Sequence, residues 1–578
     1  MTECTLAAAF PIPEMCYQHL ERTALRGSRL KFKARLAAYV NSFSFIGLAF
    51  ATFCFAASVT PSLLPRNFIV QGLLSGLALA AGYGVGVALV TLHHFLEFRD
   101  PSESVQKISK WITTVVAVAV LVACLRQMTF WQNSIRELME MPTLETAYPF
   151  RTAGIAVGCA ALLVAAMRLV IACCAGLARQ LNRFVPRRVS LMISIVVVCL
   201  LLLFIGNGII ARCLVSAGDE FFLHTDGLID DGVEQPTRGL ASGSSESLVG
   251  WETIGRRGKN FIVHGPNRDE ISEFLDRDVV EPIRVYVGMR SRETKRERAE
   301  LALEELKRAG GFDRSLLIIA TPTGTGWLDP GAVDTIEYLH GGDTAIVSMQ
   351  YSYLPSWLTI IVDPQRSIES ADVLFEVIFD FWKSLPKNDR PKLYLFGLSL
   401  GSLGGEVSAD LYKIIEDPIQ GALWSGPPFP STQWSEITAA RNTDSPQWLP
   451  TFKDGRMVRF TNQFSSLDSD QPWGPIRNVY LQYASDPMVF FSPNIAFQEP
   501  NWISGERGRD VSSHLRWYPV VTFLQIGFDL PMATSVPIGF GHNYAPADYI
   551  DAWIAVTDPP NWSDEATARL KVLFEAKD

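Results

Sequence analysis

One stretch of this sequence has residue types and spacing suited to nucleophilic chemistry: Gly397-Leu398-Ser399-Leu400-Gly401. This G-x-S-x-G follows an apolar run at 393–396 and precedes a small-residue run containing Gly404 and Gly405. Strand, tight turn and helix form the context in which a serine hydroxyl stands exposed at the top of a sheet. Such a turn is strained, so the positions two before and two after the serine must be tiny, and both are glycine. Ser399 is the candidate nucleophile, with Gly397 and Gly401 shaping its elbow. The N–H of Leu400, at the start of the following helix, would point at a developing oxyanion. The same five-residue pattern occurs in ordinary loops whose serine only caps a helix. The strand before it and the glycine-rich run after it favour the elbow.

A serine nucleophile needs a base, and the base needs an acid to orient it. With an elbow of this kind the chain order is serine, acid, histidine. Asp486 follows a strand pattern at 479–483 and is the candidate acid, although an Asp before a proline also starts ordinary turns. Only His514 and His542 follow the elbow. His542 sits in the glycine-flanked loop Gly539-Phe-Gly-His-Asn-Tyr544, whereas 510–517 around His514 reads as the start of a helix. Chain order favours His542. A second oxyanion donor should come from the loop after an earlier strand, Thr321-Pro-Thr-Gly-Thr-Gly-Trp327. Thr325 or Gly326 would donate, and the sequence does not separate them. Trp357, Trp424, Trp434 and Trp473 could line an acyl pocket, although aromatic residues more often fill a core. All nine cysteines lie between Cys4 and Cys213, and no C-x-x-C pair occurs. The second part of the chain therefore has neither disulfides nor thiolate ligands. No metal or organic cofactor is expected.

The elements that must position these residues alternate. Strands are expected at 282–288, 315–320, 345–350, 393–396, 422–424 and 479–483, and helices at 294–310 and 371–383. Alternating strands and helices predict a mostly parallel sheet covered on both faces. The catalytic domain is expected at 252–578, after a polar, acidic, glycine- and serine-bearing stretch at 215–251 that reads as a linker or a loosely packed entry segment.

The first part differs. The chain has 578 residues and is 48% hydrophobic, with the excess in its first third, and its net charge of −9 argues against a nucleic-acid partner. Five membrane spans are expected within a helical domain at 1–214: 36–65, 68–92, 111–125, 152–177 and 189–211. The third is short before Arg126, and Arg168 in the fourth should face the bundle interior or mark a helix end. Gly72/Gly76 and Gly82/Gly86 form small-xxx-small registers suited to close helix contact in lipid, including contact between copies of the chain. The N-terminal segment and the loops at 93–110 and 178–188 are basic, whereas 60–68 has only Arg66 and 127–150 is acidic. The positive-inside rule then places the N-terminus in the cytoplasm of a plasma-membrane protein and, after five spans, the catalytic domain outside.

Several segments together resemble the bacterial transmembrane α/β-hydrolase family: Tyr286-Val-Gly288, Thr321-Pro-Thr-Gly-Thr-Gly-Trp327, Gln350-Tyr-Ser-Tyr-Leu-Pro-Ser-Trp357, Gly397-Leu-Ser-Leu-Gly401, Ser425-Gly-Pro-Pro-Phe429 and Tyr483-Ala-Ser-Asp-Pro487. Pro61-Ser-Leu-Leu-Pro-Arg66, before a glycine-rich span, is also similar. The resemblance implies a multi-span N-terminal domain joined to an α/β-hydrolase domain, with Ser399, Asp486 and His542 as its triad. The expected function is a membrane-anchored, esterase- or lipase-like serine hydrolase acting on lipid-like or envelope esters. The alternatives are acyl transfer by the same triad, or a transport or sensing function led by the helices around Arg168.

Overall fold

The structure is a computed structural model that describes Tyr39 and residues 42–204, 222–464, 467, 469 and 471–576. The basic N-terminal segment and the end of the fifth expected span lie outside the described residues.

The first part forms α1 (Phe45–Ser58), α2 (Phe68–Phe95), α3 (Glu103–Leu138), α4 (Pro149–Leu181) and α5 (Arg187–Leu203). Three of these, α2, α3 and α4, are long and apolar enough to cross a bilayer, against the five spans expected. The first expected span fails because its apolar run is not one helix. After 14 residues α1 stops at Ser58, and Leu63 and Leu64, flanked by Pro61 and Pro65, are buried in protein. At ~1.5 Å per residue, α1 reaches about 21 Å, short of a hydrocarbon core of about 30 Å. The described part of the fifth, α5, has 17 residues. The third, expected to be short, lies inside the longest helix, 36 residues, because Arg126 is a good helix former and does not interrupt it.

Apolar side chains such as Val118, Leu162 and Leu169 face outward, as helices in lipid require. The glycine registers of α2 are occupied within the chain. A methyl at Gly76 would meet Cys159 of α4 at 2.6 Å, and one at Gly86 would meet Gly47 of α1 at 2.7 Å. Arg168 donates to Ser42 Oγ at 2.9 Å and lies over the Phe43 ring at 4.2 Å, so its charge is engaged by the turn that precedes α1.

The second part is built on seven strands: β1 (Ile283–Val287), β2 (Leu316–Thr321), β3 (Thr344–Met349), β4 (Lys392–Leu398), β5 (Gly421–Ser425), β6 (Val458–Thr461) and β7 (Arg477–Leu481). Their order is β1-β3-β2-β4-β5-β7-β6, and every pairing is parallel. Continuous apolar runs form the central strands because both faces are covered by helices. The helices of this part include α6 (Lys295–Arg308), α7 (Pro330–Leu339), α8 (Gln365–Ser384), α9 (Leu400–Ser408), α10 (Val521–Asp529) and α11 (Pro546–Thr557), of which α10 packs on α1 and α2 and the others on the sheet. The sequence reading missed β6, which has only four residues and a charged one, Arg459, among them. The stretch around His514, expected to begin a helix, forms turns, and His514 is exposed against Phe130 of α3.

The glycine- and serine-bearing stretch expected to be a loose linker is packed from about residue 241. Ser242 and Val249 are buried, and the carboxylate of Glu305 on α6 accepts from Ser242, from Ser247 and from the N–H of Leu248. A buried carboxylate needs such donors, and composition alone does not reveal that demand.

Helix α9 buries Glu406 beneath the elbow. Burial pushes its carboxyl up to about 8, although hydrogen bonds from the Trp434 N–H and the Tyr480 hydroxyl oppose the shift. Unfolded, the group titrates near 4.5. Folding therefore takes up a proton between these values, and this stabilisation is lost as pH rises through about 8. Glu406→Gln is expected to flatten the fall in stability between pH 5 and pH 8 (roughly the window set by the two values), read by denaturant titration at several pH values. An unchanged slope would show that Glu406 ionises normally in the fold.

Candidate active site

Strand β4, fourth of the seven, ends at Leu398, and α9 begins at Leu400. Ser399 between them has φ 58° and ψ −124°, a region that side chains other than glycine enter at a cost of about 1–3 kcal/mol. Close approach explains the flanking glycines. A methyl at Gly397 would meet the Ser402 nitrogen at 2.5 Å, and one at Gly401 would run into the Thr321 carbonyl oxygen. The elbow is therefore clamped between its own helix and the exit of β2. The Ser399 N–H donates to Ser425 O at 2.9 Å, tying the turn to β5.

Asp486 lies beyond β7 and is completely buried. Its Oδ1 accepts the Met488 N–H at 2.8 Å, while its Oδ2 accepts from His542 Nδ1 at 2.6 Å and from the Tyr544 hydroxyl at 2.7 Å. An ionised carboxylate can only accept, so this network assigns the proton to His542 Nδ1 and the lone pair to Nε2. The His542 loop turns at Gly539 (φ 91°) and Gly541 (φ 59°). It is pinned by His542 N–H to Ala533 O at 2.8 Å and by Gly541 N–H to Ser485 Oγ at 2.9 Å. Among the described residues, neither Ser399 Oγ nor His542 Nε2, both buried, has a hydrogen-bond partner. Catalytic hydrogen bonds commonly tighten only once substrate is bound.

Sequence reasoning missed Tyr544. Burial and the neighbouring Asp486 hold its phenol well above the usual range, so it stays protonated and donates to the carboxylate. Its one sequence signal is an aromatic two positions after the histidine of a glycine-rich loop. Tyr544→Phe is expected to reduce hydrolysis roughly tenfold, the loss of one hydrogen bond to a charged group at about 1.5 kcal/mol. The check is kcat at saturating ester, and an unchanged kcat would leave Tyr544 a packing role only.

The oxyanion candidates differ in their backbone bonds. Leu400 N–H opens α9 and has no acceptor among the described backbone bonds. Gly326 N–H donates to Thr323 O at 2.9 Å, while Thr325 N–H has no acceptor among the described bonds. Of the four tryptophans, Trp357 packs on the apolar cluster containing Leu400 and Met488. Trp434 joins Phe429 and Phe491 in lining a cavity of about 270 Å³. Trp424 is sheet core beneath Gly405, and Trp473 stacks under Arg459.

Residues 283–570 match the model of an alpha/beta-hydrolase family, and residues 59–266 match the model of that family's N-terminus. The chain belongs to this α/β-hydrolase family. No curated protein and no solved structure matches it. In this hydrolase-family chain, the first strand of the sheet opens the matched hydrolase region at Ile283. The N-terminal match runs on past the expected linker to residue 266.

Proposed function

We propose that the protein is a membrane-anchored serine hydrolase that cleaves an ester or related acyl bond. The observation that carries this reading is the pairing of His542 with Asp486 at 2.6 Å, in the fold that also presents the strained serine elbow. Ser399 Oγ would attack the acyl carbon while His542 Nε2 takes its proton, and then returns it to the leaving alkoxide. Asp486 would hold the Nδ1–H tautomer and stabilise the imidazolium. Leu400 and Thr325 N–H groups would stabilise the tetrahedral oxyanion. Water would then hydrolyse the acyl-enzyme by the same proton route in reverse.

The substrate class we propose is lipid-like, because the apolar cluster at Leu400 and the phenylalanine-lined cavity lie in a chain with long apolar helices. Equal rates on soluble and bilayer-embedded esters would count against it. The burial of Ser399 and His542 also suits acyl transfer, since a dry acyl-enzyme survives to meet another acceptor. Product analysis with an added acceptor alcohol distinguishes the two.

Orientation has support that does not depend on counting spans. The hydrolase domain packs on the α1–α2 connector and on the end of α3, through Ser134–Ser512 and Arg66–Asp529. The connector and the 127–150 stretch are poor in free positive charge, which supports a reading in which the domain lies opposite the basic loops. We propose an extracytoplasmic location. An impermeant maleimide should then modify Tyr412→Cys, at an exposed position, in sealed right-side-out vesicles without detergent.

The deciding experiment is fluorophosphonate labelling of the detergent-solubilised protein with peptide mass spectrometry. An adduct on Ser399 that is lost in His542→Ala supports the reading. Folded protein that takes no label would overturn it.

A further inference from the structure

The motif Pro61-Ser-Leu-Leu-Pro-Arg66 lies in the connector between α1 and α2, far in sequence from the site and without a role in the chemistry above. In the fold it is buried in the hydrolase domain. Leu63 and Leu64 are fully buried and belong to the same core as the central sheet. Arg66 has no exposed side-chain surface. Its Nε and Nη2 meet Asp529 Oδ1 at 2.9 and 2.8 Å, and Nη2 also donates to Gln525 O at 2.9 Å. The Ser62 hydroxyl bonds Asp529 Oδ2, and the Leu64 N–H donates to the same carboxylate. Gln525 returns a bond to Thr60 O at 3.0 Å. Among the described residues, every donor to Asp529 comes from the connector.

Asp529 is the last residue of α10, and the next turn leads directly to the base. Leu530–Met532 form a single helical turn, and Ala533 O then accepts the His542 N–H at 2.8 Å. Ala533 O also packs against Gly541, where a methyl would meet it at 2.7 Å and would meet Leu64 Cδ2 at 3.4 Å. The membrane connector thus reaches His542 twice, through the Asp529–Ala533 turn and through Leu64 beside Gly541. A buried Asp529 without these donors would be an uncompensated charge, and the 530–533 segment would have to move to reach water.

We propose that Arg66 is a positioning residue, through which the membrane domain sets the place of His542, so that the hydrolase domain is competent only when docked on the connector. This rests on the serine-hydrolase reading. The geometry makes the connector a part of the catalytic scaffold as well as a tether.

The test uses the full chain in detergent, with fluorophosphonate labelling rates per folded molecule measured from pH 5 to pH 10. The variants are Arg66→Lys, Arg66→Met and the double variant Arg66→Met with Asp529→Leu, which leaves no unpaired buried charge. Wild type should label at neutral pH with a plateau. Arg66→Met should label at least tenfold more slowly, and its profile should lose the plateau and climb toward alkaline pH, as expected of a serine whose base is misplaced. Arg66→Lys should recover part of the rate. The double variant should regain thermal stability but not the neutral-pH plateau, which separates positioning from a merely structural role. A double variant that labels like wild type would overturn the proposal. So would Arg66→Met labelling that keeps the wild-type pH profile at reduced yield. Failure of wild type to label on Ser399 would instead sink the hydrolase reading itself.

Discussion

Ser399→Gly is expected to give a more stable protein with almost no hydrolase activity. The backbone at Ser399, φ 58° and ψ −124°, is open to glycine and strained for serine by about 1–3 kcal/mol. Against this relief stands the extra freedom of glycine in the unfolded chain, about 0.5–1 kcal/mol. The serine hydroxyl adds nothing in return, because its buried oxygen has no hydrogen-bond partner among the described residues. Relief of strain therefore wins, and the melting temperature should rise. Ser399→Ala keeps the strain and removes only the hydroxyl, so its stability should fall between wild type and Ser399→Gly. Both variants should lose about 10⁵–10⁶ in kcat, the scale seen when a triad nucleophile is removed elsewhere. Calorimetry of the three proteins, with ester turnover on the same samples, checks the order. Wild type melting highest would show that the turn is not strained.

Asp486→Asn is expected to lower kcat by about 10⁴ while leaving the fold intact, because the amide cannot serve all three donors that the carboxylate accepts. If the new amide nitrogen took the place of Oδ2, it would face His542 Nδ1–H and the Tyr544 hydroxyl, two donors against a donor. Flipped, it would face the Met488 N–H instead. The second arrangement loses fewer bonds, and it costs about 1–3 kcal/mol of stability for one buried group left unpaired. Alternatively His542 changes tautomer to accept from the amide, and Nε2 then carries the proton and cannot act as a base. The first route keeps the Nδ1–H tautomer and removes only the charge that stabilises the imidazolium, whereas the second removes the base, so both lower activity. A pH–rate profile and a denaturation curve on the same variant distinguish them, and full activity would remove Asp486 from the mechanism.

The features readable from the chain alone are local ones. The elbow was legible because a strained turn leaves no latitude: Gly397 and Gly401 are required by backbone atoms within a few residues or one strand away. The central strands were legible because burial on both faces writes continuous apolar runs, whereas β6, short and bearing Arg459, wrote none. Chain order placed Asp486 and His542 before their contact was seen. The tertiary structure decided everything that depends on which surface is covered. Apolar residues at 36–65 look the same whether lipid or protein buries them, so the first span was overcounted, with Leu63 and Leu64 packed against the hydrolase core. Gly72, Gly76, Gly82 and Gly86 of α2 suit contact with another chain equally well, and only packing shows them occupied by α1 and α4. Tyr544 became visible only when folding brought its hydroxyl to Asp486, 58 residues away in the chain. Arg66 meets Asp529 across 463 residues. A charge buried by a partner so distant leaves no periodicity or spacing to read, since the partner's position is set by the fold alone.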